Sequence, residues 1–497
     1  MKSYLHAVKL RLLIAVALLA VITGCKKQNP ITPDEPVDPP VTGVAFSVSN
    51  LLQDNMVLQR NKPINIWGTG EPGTVVTVTD TWGTTANAKA DNKGIWTVAL
   101  PATGTQSTAQ ELHITAGQQA VNLKNILVGD VWVCAGQSNM NMPMGKNATF
   151  AGVENYQAEI AAANYPQIRS YTVKEDYETD PVEFLKAKAD WITCTPETAA
   201  NLSAVAYYFA RKINTDEGVP VGIIVSSVNG SWCETWTPLS VFTSDGVLFA
   251  LYNNTHQSSQ LYNGMINPLR KMSITGFNWY QGENNQNFQP YSSYTDLNAA
   301  MIKGWREKFN QGDLPFNYVQ ITPFDDKGTN DPTVFGLANF REAQSNVRTK
   351  ATNSAMVVTM DVGDVADHHP KYKKQVGERL ASIALNKTYG KNVAYAGPKY
   401  QSYTQAGNEV TIKFDAGTAT GLTTIDNAPL KQFFFVAGAD KVFRQGEASI
   451  IGNEIKIKVP QAISQVLAVR YAYTNYPVTN LQNAAGLPAE PFRTDSW

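Results

Sequence analysis

The sequence predicts an α/β fold: a doubly wound, mostly parallel sheet flanked by an N-terminal and a C-terminal all-β domain. Three observations predict it. From about residue 126 to 390, short apolar runs of strand type alternate with segments of helical periodicity, the pattern of a parallel sheet with helices on both faces. On either side, over 44–125 and 391–497, the pattern is short alternating segments broken by Gly, Pro and Asn, which reads as all-β structure. One central apolar run stops at Gly136 and hands over to Gln137-Ser138-Asn139, and open α/β sheets carry their active crevice at such carboxyl ends.

Taken in order, the chain opens with Lys2, Lys9 and Arg11, an apolar run over 12–22, and Thr23-Gly24-Cys25. A run of about eleven residues is too short for a bilayer, which needs about 20, and reads as a secretory h-region. Small residues directly before a cysteine resemble a bacterial lipobox. Residues 1–25 are therefore expected to be a lipoprotein signal peptide, with Cys25 the lipidated first residue of the mature chain. Residues 26–43 are rich in proline and polar residues, as suits a flexible tether. The expected setting is the bacterial cell envelope, periplasmic or at the surface, with the membrane a partner through the lipid anchor.

The mature length suits two or three domains. With 41 Lys and Arg against 42 Asp and Glu, the net charge is −1 and both signs are interspersed, so no basic footprint for nucleic acid exists. Ten tryptophans and 21 tyrosines offer flat faces that suit sugars, although such residues more often fill cores. After Cys25 only Cys134, Cys194 and Cys233 remain; an odd number leaves at least one unpaired, and no C-x-x-C spacing suggests a metal site.

Over 44–125, Ile64-Asn65-Ile66-Trp67, Val75-Val76-Thr77-Val78-Thr79 and Ile95-Trp96-Thr97-Val98 are short strands spaced by turn residues, which predicts a β-sandwich whose role is structural or, second, carbohydrate-contacting. In the central region the expected strands are 131–134, 222–225, 275–280, 318–321 and 356–360. The expected helices are 199–213, where Leu202, Val205, Ala206, Phe209 and Ala210 recur at helical spacing, 294–309 and 372–385. In the last region Val410-Thr411-Ile412-Lys413-Phe414, Gln432-Phe433-Phe434-Phe435-Val436 and Ile455-Lys456-Ile457-Lys458-Val459 alternate as strands do.

A serine just past a strand is a candidate nucleophile, although Met140 stands where the G-x-S-x-G elbow of α/β-hydrolases would have glycine. Such a serine needs a base, and histidine is the usual one because its pKa lies near neutrality. The chain has five histidines. His6 falls in the leader and His113 in the N-terminal β region, which leaves His256 and the pair His368-His369 in Asp367-His368-His369-Pro370, after a predicted strand. One of that pair is the candidate base, and His256 reads as structural or as a rim residue. Two more predicted strand ends carry groups suited to stabilising a developing oxyanion: Ser226-Ser227-Val228-Asn229-Gly230-Ser231 and Trp279-Tyr280-Gln281-Gly282-Glu283-Asn284-Asn285.

Together, Gly136-Gln137-Ser138-Asn139-Met140, Gln281-Gly282-Glu283-Asn284-Asn285 and Asp367-His368-His369-Pro370 resemble the blocks of the SGNH hydrolases and, more narrowly, of the sialate O-acetylesterase family of carbohydrate esterases. Met56-Val57-Leu58-Gln59-Arg60, Leu261-Tyr262-Asn263-Gly264-Met265-Ile266, Phe340-Arg341-Glu342-Ala343-Gln344 and Pro491-Phe492-Arg493-Thr494-Asp495-Ser496-Trp497 extend the resemblance over nearly all of the mature chain. It implies an SGNH-type sheet, Ser138 as nucleophile, His369 as base, and the Ser138 N–H, Gly230 and Asn285 as oxyanion hole. At Asn229 the family usually has another glycine. The superfamily's Asp three residues before the histidine is Ala366 here, so Asp367 is the candidate acid, with a backbone carbonyl as the alternative. Arg341 is the candidate for gripping a sialate carboxylate, and Gln137, Trp279, Gln281 and Glu283 for flanking the sugar. The implied mechanism is two-step acyl transfer on an acetylated sugar, without metal or organic cofactor. Acetylated xylan or another polysaccharide is the alternative substrate, and a silent surface glycan-binding protein the reading from another class.

Overall fold

The computed structural model describes residues 40–324 and 335–497. The expected leader, Cys25 and the tether up to residue 39 lie outside them.

The apolar run expected at 131–134 is the second half of an 18-residue strand, Gln119–Gly136. Exposure still varies in its first half, as for a sheet half open to water; from Ile126 onward every residue is buried. Pairing changes at the same place. The first half runs antiparallel to Gln106–Ala116, and residues 127–129 run parallel to Val57–Gln59. The second half is sandwiched between the parallel strands Val221–Ser227 and Gly276–Tyr280. Fully buried runs belong to parallel sheets covered on both faces. The boundary expected between 125 and 126 therefore falls inside one continuous strand, and a single mixed sheet carries both regions.

Across the parallel part the strand order is Trp191–Cys194, Tyr165–Thr172, Val221–Ser227, Gln119–Gly136, Gly276–Tyr280, Phe316–Val319 and Ser354–Val357. Every neighbouring pair is parallel except the Trp191–Cys194 edge. Successive side chains point to opposite faces, and the central strand shows it. Val131, Val133 and Ala135 enter a core with Leu297, Met301 and Trp305 of helix Ser292–Phe309 and Phe340 and Val347 of helix Gly336–Lys350. Trp132 and Cys134 enter a second core with Val205 and Phe209 of helix Ala204–Glu217 and Val376 and Leu380 of helix Lys373–Lys387.

Helix Ala204–Glu217 starts later than expected. Residues 199–201 form a separate 3-10 turn, and the helix begins where Ser203 Oγ accepts the Ala206 N–H, as an N-cap serine does. On the N-terminal side Ser47–Val48, Ile64–Thr69 and Ile95–Leu100 form a three-stranded sheet whose Ile66, Trp67, Trp96 and Val98 share a core with Val76, Val78, Leu112 and Ile114 of the large sheet. The C-terminal region contains two four-stranded antiparallel sheets around Val410, Ile412, Phe434, Val436, Ile455, Ile457 and Val469.

Candidate active site

The central strand ends at Gly136 with φ +140°, and a Cβ there would lie 2.1 Å from the Tyr280 carbonyl oxygen. Only glycine lets the two strand ends approach this closely. Gln137 N–H then donates to that same carbonyl at 3.0 Å, and Ser138 opens the one-turn helix Ser138–Asn141, 5 % exposed. From the loop between Ser354–Val357 and Lys373–Lys387, His369 reaches across so that its Nε2 lies 2.7 Å from Ser138 Oγ. That is hydrogen-bond distance for a nucleophile and its base.

The imidazole is half-buried, with the Phe150 ring edge-on at 5.2 Å and the His368 ring at 4.0 Å. Burial, then the neighbouring His368 and Lys373, push its pKa down to about 4 against a weaker opposing pull from Asp367. His369 is thus neutral, and so able to accept a proton, throughout the neutral range. Asp367 does not bond the ring: its carboxylate is 3.6 Å from Nδ1 and its side chain is 51 % exposed. Instead its Oδ1 accepts the backbone N–H of His369 at 2.7 Å, which shapes the turn.

A cleft of about 430 Å³ opens over these groups, lined by Gln137, Ser138, Thr149, Phe150, Asn229, Gly230, Glu283, Asn284, Gln286, Asn287, Phe324, His368 and His369. Among the described residues the backbone N–H groups of Ser138 and Gly230 have no internal acceptor, so both are available to a ligand. Asn229, standing at the family's glycine position, has its Oδ1 held by Asn141 Nδ2 at 2.9 Å.

Asn285 is buried one layer behind. Its Nδ2 donates to Glu234 at 2.9 Å, and its Oδ1 accepts from the Cys233 N–H at 2.8 Å and from Gln281 Nε2 at 2.6 Å. Its neighbour Asn284 lines the cleft and donates to the Gly230 carbonyl, a placement the sequence pointed to only as one of two adjacent asparagines. Gln137 and Glu283 line the cleft as expected. Trp279 does not; it packs against Trp236 and Trp305 in the core. Gln281 is fully buried and serves as a brace, accepting from Tyr294 Oη at 3.1 Å while holding Asn285.

Arg341 also departs from the sequence expectation. It is 0 % exposed, and its guanidinium donates to the carbonyls of Asn475, at 3.2 Å, and Thr474, fastening helix Gly336–Lys350 to the C-terminal region. Phe150, which packs on the base, carried no signal in the sequence: it sits in an irregular loop. His256 lies outside the cleft lining, stacked on Trp232 at 3.8 Å with Nδ1 2.7 Å from Glu234 Oε1.

Asp367, His368 and His369 bring three ligand-type atoms within 4.8 Å of one another, but two are exposed and the Nε2 of His369 is engaged by Ser138, so this is an acid–base cluster and not a built metal cradle. Cys134, Cys194 and Cys233 are all unpaired and buried. Burial pushes the Cys134 thiol up to about 12 and that of Cys194 to about 11, which leaves both as inert thiols at neutral pH.

The chain matches known proteins over this whole architecture. A family model described as carbohydrate esterase, sialic acid-specific acetylesterase, matches residues 128–386. The sialate O-acetylesterase of Homo sapiens is 28 % identical over 506 residues, covering 90 % of this chain and 92 % of that protein. That of Mus musculus is 26 % identical over 529 residues, covering 90 % and 94 %. The crystal structure of a carbohydrate acetylesterase from Xanthomonas citri superposes with a TM-score of 0.82 at 32 % identity, covering 91 % of this chain and 100 % of that one. The resemblance read from the serine, glutamine and histidine blocks is borne out: the chain belongs to the sialic acid-specific acetylesterase family of carbohydrate esterases, and with it to the carboxylic ester hydrolases.

Proposed function

We propose that the protein is a serine esterase of SGNH type that removes O-acetyl groups from sialic acids by Ser–His acyl transfer. The observation that carries this reading is the 2.7 Å approach of Ser138 Oγ to His369 Nε2 on the floor of an amide-lined cleft. Ser138 Oγ attacks the acetyl carbonyl as its proton passes to His369 Nε2. The oxyanion faces the N–H groups of Ser138 and Gly230, donors of a kind each worth about 10²-fold or more in rate, with Asn285 braced behind them. The C–O bond to the sugar breaks and His369 returns the proton to the leaving alkoxide. Water, deprotonated by His369, then attacks the acetyl-enzyme; acetate leaves and Ser138 is restored.

A second substrate reading has one observation in its favour. Among the described lining residues there is no Lys or Arg, and the one carboxyl is Glu283; a carboxylate-bearing sugar finds no cation among these residues, whereas a neutral acetylated sugar needs none. Acetylated xylan or a similar polysaccharide is the substrate on this reading. Acetate release from 9-O-acetylated sialic acid and from acetylated xylan oligomers, side by side with Ser138→Ala, separates the two. Ser138→Ala is expected to lose at least 10³-fold in kcat with its thermal transition unchanged. A folded Ser138→Ala enzyme of near-normal activity refutes the serine mechanism.

We further propose that the chain is held in the bacterial envelope through lipidated Cys25. The basic residues, the apolar run and Thr23-Gly24-Cys25 support this. The mass of the mature N-terminus decides it: an acylated chain beginning at Cys25 agrees, and an unmodified one does not.

A further inference from the structure

Beneath Ser138 and His369 lies a set of buried polar groups that the acyl-transfer steps do not use. Lys373, the first residue of helix Lys373–Lys387, is 0 % exposed. Its Nζ donates to Asn139 Oδ1 at 2.6 Å and to the Pro370 carbonyl at 2.8 Å, and lies 5.7 Å from the centre of the Tyr280 ring. Nζ donates in both bonds, so Asn139 turns its carbonyl toward Lys373 and its amide NH2 away. That NH2 donates to the His368 carbonyl at 2.9 Å and to Glu283 Oε1, which uses the whole side-chain amide.

The partners of this relay belong to three different loops. Asn139 directly follows Ser138 on the nucleophile turn. The His368 and Pro370 carbonyls bracket His369. Glu283 belongs to the turn that follows strand Gly276–Tyr280, and it is buried, with its carboxyl pushed up by that burial. The charged and titratable groups facing Lys373 are Glu283 and Tyr280 from that strand and turn, and Asp367, His368 and His369 from the loop before its own helix. Burying an ammonium in such a place is costly and pushes the Lys373 pKa down to about 7, and a methionine would fill the same space without that cost. Packing alone therefore does not account for a lysine here. Meanwhile the ring of His369 has no hydrogen-bonded carboxylate on Nδ1, so its orientation relative to Ser138 comes from the backbone on either side of it and from the Phe150 and His368 rings packed on it.

We propose that Lys373 is a positioning residue for this reaction: through Asn139 and the carbonyls of 368 and 370 it holds the Ser138 hydroxyl and the His369 imidazole in register. It does the work that a carboxylate on Nδ1 does where one is present. The inference rests on the Ser138–His369 reading. A displacement of about 1 Å at such a site is enough for roughly a 10²-fold loss.

Lys373→Met and Asn139→Ala, each in the full chain, test it against wild type. Expected are a fall in kcat of about 10- to 100-fold, KM within about threefold, and a parallel fall in the rate at which a fluorophosphonate labels Ser138, with unchanged circular dichroism. Asn139→Ala leaves the ammonium on Pro370 and carries the test alone if Lys373→Met does not fold. Folded variants whose kcat and labelling rate stay within twofold of wild type overturn the proposal and leave Lys373 a brace of the fold. Wild-type labelling at a residue other than Ser138 overturns the Ser138 reading itself.

Discussion

At the scale of the residue, His369 shows how a base is tuned by what surrounds it. Its folded pKa of about 4 lies below the ordinary 6.5, because burial and then the neighbouring His368 and Lys373 disfavour the imidazolium. The base must be neutral to act, so activity on the acid side is lost only as pH falls through the folded value. The acid limb of kcat/KM is expected near pH 4 to 5, below the 6 to 7 of an unperturbed histidine. Removing the charge of Asp367, which pulls the other way, moves that limb slightly further down; Asp367→Asn is expected to lose about tenfold or less in kcat, against about 10⁴-fold for a triad aspartate. A pH–rate profile of both enzymes checks this, and a 10³-fold loss refutes the minor role given to Asp367. Serine and histidine were legible because each follows an apolar run and histidines are few. The remoteness of Asp367 was not legible, since residue spacing does not report which way an exposed carboxylate turns.

At the scale of the element, helix Gly336–Lys350 shows why periodicity fails to announce some helices. Its buried stripe is Phe340, Arg341, Ala343, Gln344 and Val347, so two of the positions that helical spacing reserves for apolar residues hold an arginine and a glutamine. Both are held by carbonyls distant in sequence: Gln344 Nε2 donates to Gln281 at 3.2 Å, and the two terminal nitrogens of Arg341 donate to residues 474 and 475. Burial lowers the Arg341 pKa to about 10. Arg341→Met is therefore expected to leave KM for any acetylated sugar within about twofold and to change unfolding free energy by about 2 to 3 kcal/mol. Urea unfolding and steady-state kinetics separate the two effects; a large rise in KM for sialate esters alone returns Arg341 to the substrate. Strands Tyr165–Thr172 and Trp191–Cys194 escaped sequence reading for a related reason. The first carries Pro166, Gln167 and Arg169 along its length, and the second is a four-residue edge.

At the scale of the whole molecule, the order of the regions was legible and their independence was not. Alternating segments, then strand–helix repeats, then alternating segments describe the chain as it folds, because each rests on local period. Continuity across residues 125 and 126 depends instead on what pairs with each half of Gln119–Gly136, which no local pattern states. A fragment spanning 126–390 begins inside that strand and removes the partners of its first half. Expressed alone, it is expected to be insoluble or to lack a cooperative thermal transition, whereas the chain from residue 41 gives one. A well-folded, active 126–390 fragment refutes this. The same strand bears on how such enzymes diversify. A nucleophile carried on the far end of a strand that starts in another layer cannot be exchanged as a cassette. Recombination with a relative at a crossover between 119 and 136 splices two halves of one β-ladder and must conserve register on both sides, while a crossover in the irregular stretch just after residue 390 cuts no strand. Descent should therefore hand down the first β-layer and the serine turn as a single inheritance, with the C-terminal layer freer to be traded.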